Sequence, residues 1–117
     1  MTKTERRHAA QFDAAVEALR GHGWTVEVTE DETGRSFQAR GDDAWYARFM
    51  VITFGTRAFH SGVTNRTRHY ASGNLYGAKT TAGPKIDRRI RGFADLFHTI
   101  HIYSHYGRPE ERREETA

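Results

Sequence analysis

Arg66, Arg68, Lys79 and Lys85 lie in one acid-free stretch, residues 64–85, with His69 alongside and Tyr70 and Tyr76 between them. The acid-free tract is wider, from Ala44 to Ile86, and adds Arg48 and Arg57 together with Trp45, Tyr46 and Phe59. Cations that neutralise phosphates, interleaved with rings on which bases stack, are the equipment of a nucleic-acid contact. Arg66, Arg68 and Tyr70 alternate, so an extended chain projects all three from one side. The tract holds only Val63 and Leu75 as strong aliphatics between 60 and 85. It therefore reads as a polar functional loop over about 60–85, too long to be a simple connection.

A second set is His98, His101 and His105. On a helix, His101 and His105 have the i, i+4 spacing at which two imidazoles share a divalent metal. No HExxH pattern accompanies them, so no general base is built in, and a further ligand has to come from His60 or His69. The competing reading is a surface stripe that gains charge as pH falls below about 6.5. Gly73 to Thr81, GNLYGAKTT, is not a phosphate-binding loop: three residues separate its glycines instead of four, and Ala78 stands before the lysine. Asp42 and Asp43 have no companion ligands in the sequence, and neither a Ser-His-Asp set nor a working carboxylate pair can be traced. The expectation is a non-enzymatic protein that uses no cofactor.

Helical spacing of Ala9, Phe12, Val16 and Leu19 predicts a helix over Thr4–Arg20 that stops at Gly21 and Gly23. Alternation in WTVEVT and RSFQAR, separated by EDETG, predicts a hairpin with one wet side. WYARFMVITF reads as the central strand, apolar on both faces from Phe49 to Phe54, and a further strand fits Arg57 to Val63. Ile86, Ile90, Phe93, Phe97 and Ile100 are spaced 4, 3, 4 and 3 apart after Pro84, which predicts a second helix from there to about Tyr106. A competing reading ends that helix near Phe97 and makes TIHIYS a strand. On the helical reading, Lys85, Arg88 and Arg89 face outward and continue the positive loop. The class is α+β, with an antiparallel sheet of three to four strands and both helices on one of its faces. Double-stranded-RNA-binding domains share this order of elements, but the lysine-rich opening of their second helix is absent, and topology alone assigns no family.

The 117 residues suit a single domain, expected over 1–107, followed by a disordered charged tail at 108–117. There is no cysteine, which excludes disulfides and thiol chemistry, and no apolar run of membrane-spanning or leader length. Both features fit a cytoplasmic protein. Net charge is only +3, yet residues 24–45 carry −4 and residues 46–107 carry +7. Such asymmetry is informative about partners. The reading is a nucleic-acid contact, DNA or RNA, made by Arg57, Arg66, Arg68, Tyr70, Tyr76, Lys79, Lys85, Arg88 and Arg89. An acidic protein partner for the same surface is the alternative, and a His-dependent metalloenzyme or nuclease ranks third.

Overall fold

The computed structural model describes residues 2–42, 44, 47–78 and 85–105. Its first element, α1 (Lys3–Gly21), is specified locally. The Thr2 side chain accepts a hydrogen bond from the Glu5 N–H at 3.1 Å, and Glu5 lies in the first turn. The helix buries Phe12, Ala15, Val16 and Leu19, and Gly23 leaves it at φ 92°. The chain then runs as an antiparallel hairpin, β1 (Thr25–Glu30) and β2 (Gly34–Arg40). Its turn is fixed by Asp31, whose carboxylate accepts from the Thr33 N–H at 2.8 Å, the Thr33 hydroxyl at 2.7 Å and the Gly34 N–H at 3.0 Å.

Beyond Gly41 the chain does not enter a strand at once. The N–H groups of Ala44, Ala47 and Met50 donate in turn to the carbonyls of Gly41, Ala44 and Ala47, each three residues earlier. β3 (Met50–Ser61) follows as one continuous strand, absorbing the separate strand expected from Arg57. It is the middle strand of the sheet, but it is not apolar-packed on both sides: Met50, Ile52 and Phe54 are buried, whereas Val51, Thr53 and Gly55 on the other side are only half-buried. A turn ending at Asn65, at φ 51°, leads into β4 (Arg66–Ala78), and β5 (Lys85–Arg91) pairs with β4. The sheet is a five-stranded antiparallel meander, β1-β2-β3-β4-β5. Two expectations are corrected here: the strands number five instead of three to four, and most of the supposed loop at 60–85 is strand.

The second helix, α2 (Gly92–His105), begins well after Pro84 and runs through the segment that was alternatively read as a strand. Ile86 and Ile90 are therefore strand residues. Four-residue spacing fits both a helical face and one face of a strand, because four is an even number. Gly92, at φ 77°, supplies the left-handed backbone at which the chain turns from β5 into α2.

Both helices lie on one face of the sheet, over Val26, Phe37, Ala39, Ile52, Phe54, Leu75 and Ile90. A chain of rings crosses this layer from α1 to α2: Phe12 to Phe37 at 5.5 Å, Phe37 to Phe54 at 6.1 Å, and Phe54 to Phe93 at 5.1 Å between centroids. The start of β1 is tied to α2 by the Trp24 indole N–H, which donates to the Ser104 hydroxyl at 2.9 Å. Among the described residues, no helix is long and apolar enough to cross a membrane.

Candidate functional site

Side chains alternate along a strand, so the register settles which residues share a face. Across the sheet, Val26, Ala39, Ile52, Leu75 and Arg88 form one transverse row on the helix side. The next row, Glu27, Gln38, Thr53, Asn74 and Arg89, lies on the face that neither helix covers. Arg57 pairs with Tyr70, Phe59 with Arg68, and Ser61 with Arg66 on that same uncovered face. On the other flank of β4, Ser72 pairs with Arg91, Tyr76 with Asp87, and Ala78 with Lys85. Arg57, Arg66, Arg68, Tyr70, Tyr76, Lys85 and Arg89 are thus brought to one side of three adjacent strands.

Arg88 is the exception, and its expected outward position is corrected. It sits between Ile86 and Ile90 and turns to the helix side, where its guanidinium donates to Asp95 Oδ1 and to Thr99 Oγ1, both at 2.7 Å. Asp95 also accepts from the Arg91 N–H at 2.9 Å through its other oxygen, so the contact joins β5 to the first turn of α2. Arg88 is a structural cation. The basic surface expected on a helix belongs to an edge strand, and Lys79 lies outside the described residues, as do Trp45, Tyr46, Pro84 and the 108–117 tail.

β3 and β4 outrun the rest of the sheet. β2 begins at Gly34, which pairs with Arg57, so beyond that point the two strands pair only with each other as an arm. Among the described residues the arm carries Arg66, Arg68, His60 and His69 and no acid. Phe59 is 58% exposed and Val63, at its tip, 97%; farther back on β4, Tyr70 is 50% and Tyr76 38% exposed. Rings this open lie ready for stacking. Among the described residues, none of Arg57, Arg66, Arg68, Lys85, Arg89 and Arg91 is in an ion pair. Arg57 does feel one acid at the arm's base: the bonds from Thr33 and Gly34 hold the Asp31 carboxyl below its ordinary range, and the Arg57 charge adds to that.

The uncovered face is not flat. Ser36, Gly55 and Ser72 form a row of small residues next to Thr29, leaving a hollow of ≈ 570 Å³ rimmed by Gln38, Thr53 and Asn74 on one side and Arg57 and Tyr70 on the other. Arg91, Gln38 and Asn74 were not among the residues singled out from the sequence. The period-two run from Arg66 to Tyr76 was the available signal, since it places Ser72 and Asn74 with Tyr70.

His98 and His101 are exposed on α2, in the helical layer and away from this face. His105 closes the same helix. Among the described residues, no three His, Asp or Glu side chains are grouped to hold a metal. A different histidine pair meets at the arm's base, where the His8 and His69 rings stand 6.0 Å apart, edge to face, and His8 packs 5.4 Å from Phe93. Burial, with His69 and Arg7 adding, holds the His8 imidazole below its ordinary value. Compared with known proteins, the chain matches no family model, no curated protein and no solved structure.

Proposed function

We propose that this protein binds nucleic acid without catalysing a reaction, using the uncovered face of the sheet and the arm that extends from it. The observation that carries this reading is the convergence of Arg57, Arg66, Arg68, Lys85 and Arg89 with Tyr70 and Tyr76 on one side of β3, β4 and β5. The cations supply phosphate contacts and the rings supply π-faces, which together make a sequence-tolerant grip.

Binding therefore weakens steeply with salt. Replacing Arg66, Arg68, Lys85 and Arg89 together by Gln flattens the salt slope by about 2.8 on single strands or about 3.6 on duplex, at about 0.7 per single-strand contact or 0.9 per duplex contact. Fluorescence anisotropy with single-stranded DNA, duplex DNA and RNA at two salt concentrations measures this directly. If nothing binds even at low salt, the reading fails. The acidic protein partner would then be favoured, because Phe59 and Val63 give the arm exposed apolar surface that phosphate contacts leave unused.

A further inference from the structure

The hollow on the uncovered face asks for more than a polyanion. A smooth basic surface suffices for phosphates, yet here the cations border a recess whose rim bears amides and a phenol ring. Gly55 is its floor. A Cβ at this position would lie 3.1 Å from the Ser36 Cβ and 3.2 Å from the Arg35 carbonyl oxygen, so the close approach of β2 favours glycine here, and with only Ser36 and Ser72 as its cross-strand neighbours no large side chain rises into the recess. Same-face rows on a strand are about 6.6–6.8 Å apart, so the rims on either side of the Gly55 row stand about 13 Å from each other. The volume falls in the range of small-ligand pockets, about 300–1,000 Å³.

Gln38 and Asn74 occupy one rim, on either side of Thr53. Each amide offers two donors and a carbonyl acceptor, the complement of a nucleobase edge. Among the described residues, neither amide is engaged in a hydrogen bond, and nor are the hydroxyls of Ser36, Thr53 and Ser72. The opposite rim offers the half-exposed Tyr70 ring as a stacking wall, with Arg57 beside it in register for the flanking phosphate. Within a duplex the base faces are stacked on one another, so the Tyr70 ring would find none to stack on and no base would enter the hollow, and the amides would be left only the groove edges. An acidic peptide would use the cations, but its carboxylates bring no base to stack on the Tyr70 ring.

From this geometry, and resting on the nucleic-acid reading above, we infer that the hollow seats one unpaired base, and that the ligand is single-stranded nucleic acid in preference to duplex. The test compares a short oligothymidylate and oligoadenylate, in their DNA and RNA forms, with a hairpin duplex of equal phosphate count. Anisotropy titrations are run on the wild type, on Ser72→Leu, an exposed position beside Gly55 that fills the hollow, and on Asn74→Leu, an exposed position that repeats the test without touching the floor. The charge is unchanged in both variants. Circular dichroism confirms that each is folded.

The wild type is expected to bind single strands at least about tenfold more tightly than the duplex. Each variant is expected to lose at least about fivefold on single strands, the lower end of a base-stacking contact, with duplex affinity and salt slope unchanged. Equal affinity for duplex and single strand overturns the inference. So does single-strand affinity that is unaltered in both variants, and in either case salt-dependent binding would leave the broader reading standing. Absence of binding to every oligonucleotide by the wild type removes both.

Discussion

Arg88 and Arg89 are neighbours in sequence and opposites in role. The pleat turns Arg88 inward to Asp95 and Thr99 and leaves Arg89 on the uncovered face beside Asn74. Replacing each by Met separates the two functions. Arg88→Met should cost about 1–2 kcal/mol in chemical denaturation, allowing for the partly exposed setting of its bonds, and leave oligonucleotide affinity unchanged. Arg89→Met should do the reverse, weakening binding and reducing the salt slope by about 0.7–0.9 with no loss of stability. Equal effects of both on binding would show that Arg88 reaches the ligand after all. At this scale the sequence was informative about residue types and about the alternation of Arg66, Arg68 and Tyr70. It could not separate Arg88 from Arg89, because the difference is one of strand face, and on the expected helix both point outward.

The elements divide by where their specification comes from. α1 carries its own start and stop in Thr2, Glu5, Gly21 and Gly23, and it was legible to within a residue or two. β4 was not, because little of it meets the core: Leu75 is its sole fully buried side chain, and glycine, serine and asparagine interrupt its pattern. β5 was read as the start of a helix because the even spacing of Ile86 and Ile90 serves either period. The arm makes a sharper prediction. None of the buried core residues lies between Gly55 and Asn74, and the Ala58 N–H, bonded to the Thr33 carbonyl at 3.0 Å, is the last tie from β3 to the β1–β2 turn. Ala58 bonds toward β2 and faces His69 as a non-hydrogen-bonded pair, so residues 59–68 can be replaced by Thr-Asn-Gly-Thr, whose threonines supply the hydrogen-bonded pair on which the two-residue turn closes. The shortened protein should melt within roughly 4–8 °C of the wild type, the shift that about 1 kcal/mol produces in a small domain, while losing the phosphate contacts of Arg66 and Arg68. Failure of the shortened chain to fold would make the arm part of the core.

Across the whole molecule, a meander lays sequence order out as spatial order. The acidic segment becomes the β1–β2 edge, with most of its acids in the hairpin turn and past the end of β2, and the basic segment becomes β3 to β5, so a charge asymmetry along the chain turns into a separation of charge between the two sides of the sheet. Global stability should also carry the signature of His8, where α1, β4 and α2 meet. Its folded-state value is lowered, so the native protein holds the ring neutral while the unfolded chain takes up a proton near pH 6.5. The contribution is complete above about pH 6.5 and is lost as pH falls through the folded value. Between about pH 7.5 and 5.5 the melting temperature of the wild type should therefore fall further than that of His8→Leu, whose side chain does not titrate. Parallel curves for the two proteins would contradict it.

The amino-acid sequence by itself determined the first helix, the first hairpin, the segregation of charge and the one-sided display of Arg66, Arg68 and Tyr70, because each depends on caps, turns and alternation within a few residues. Only the tertiary structure decided that 85–91 is a strand, that Arg88 turns inward while Lys85 and Arg89 join the basic face, and that small residues from neighbouring strands leave a hollow around Gly55. Those outcomes depend on strand pairing between segments far apart in the chain, and a shift of one residue in that pairing would exchange the two faces.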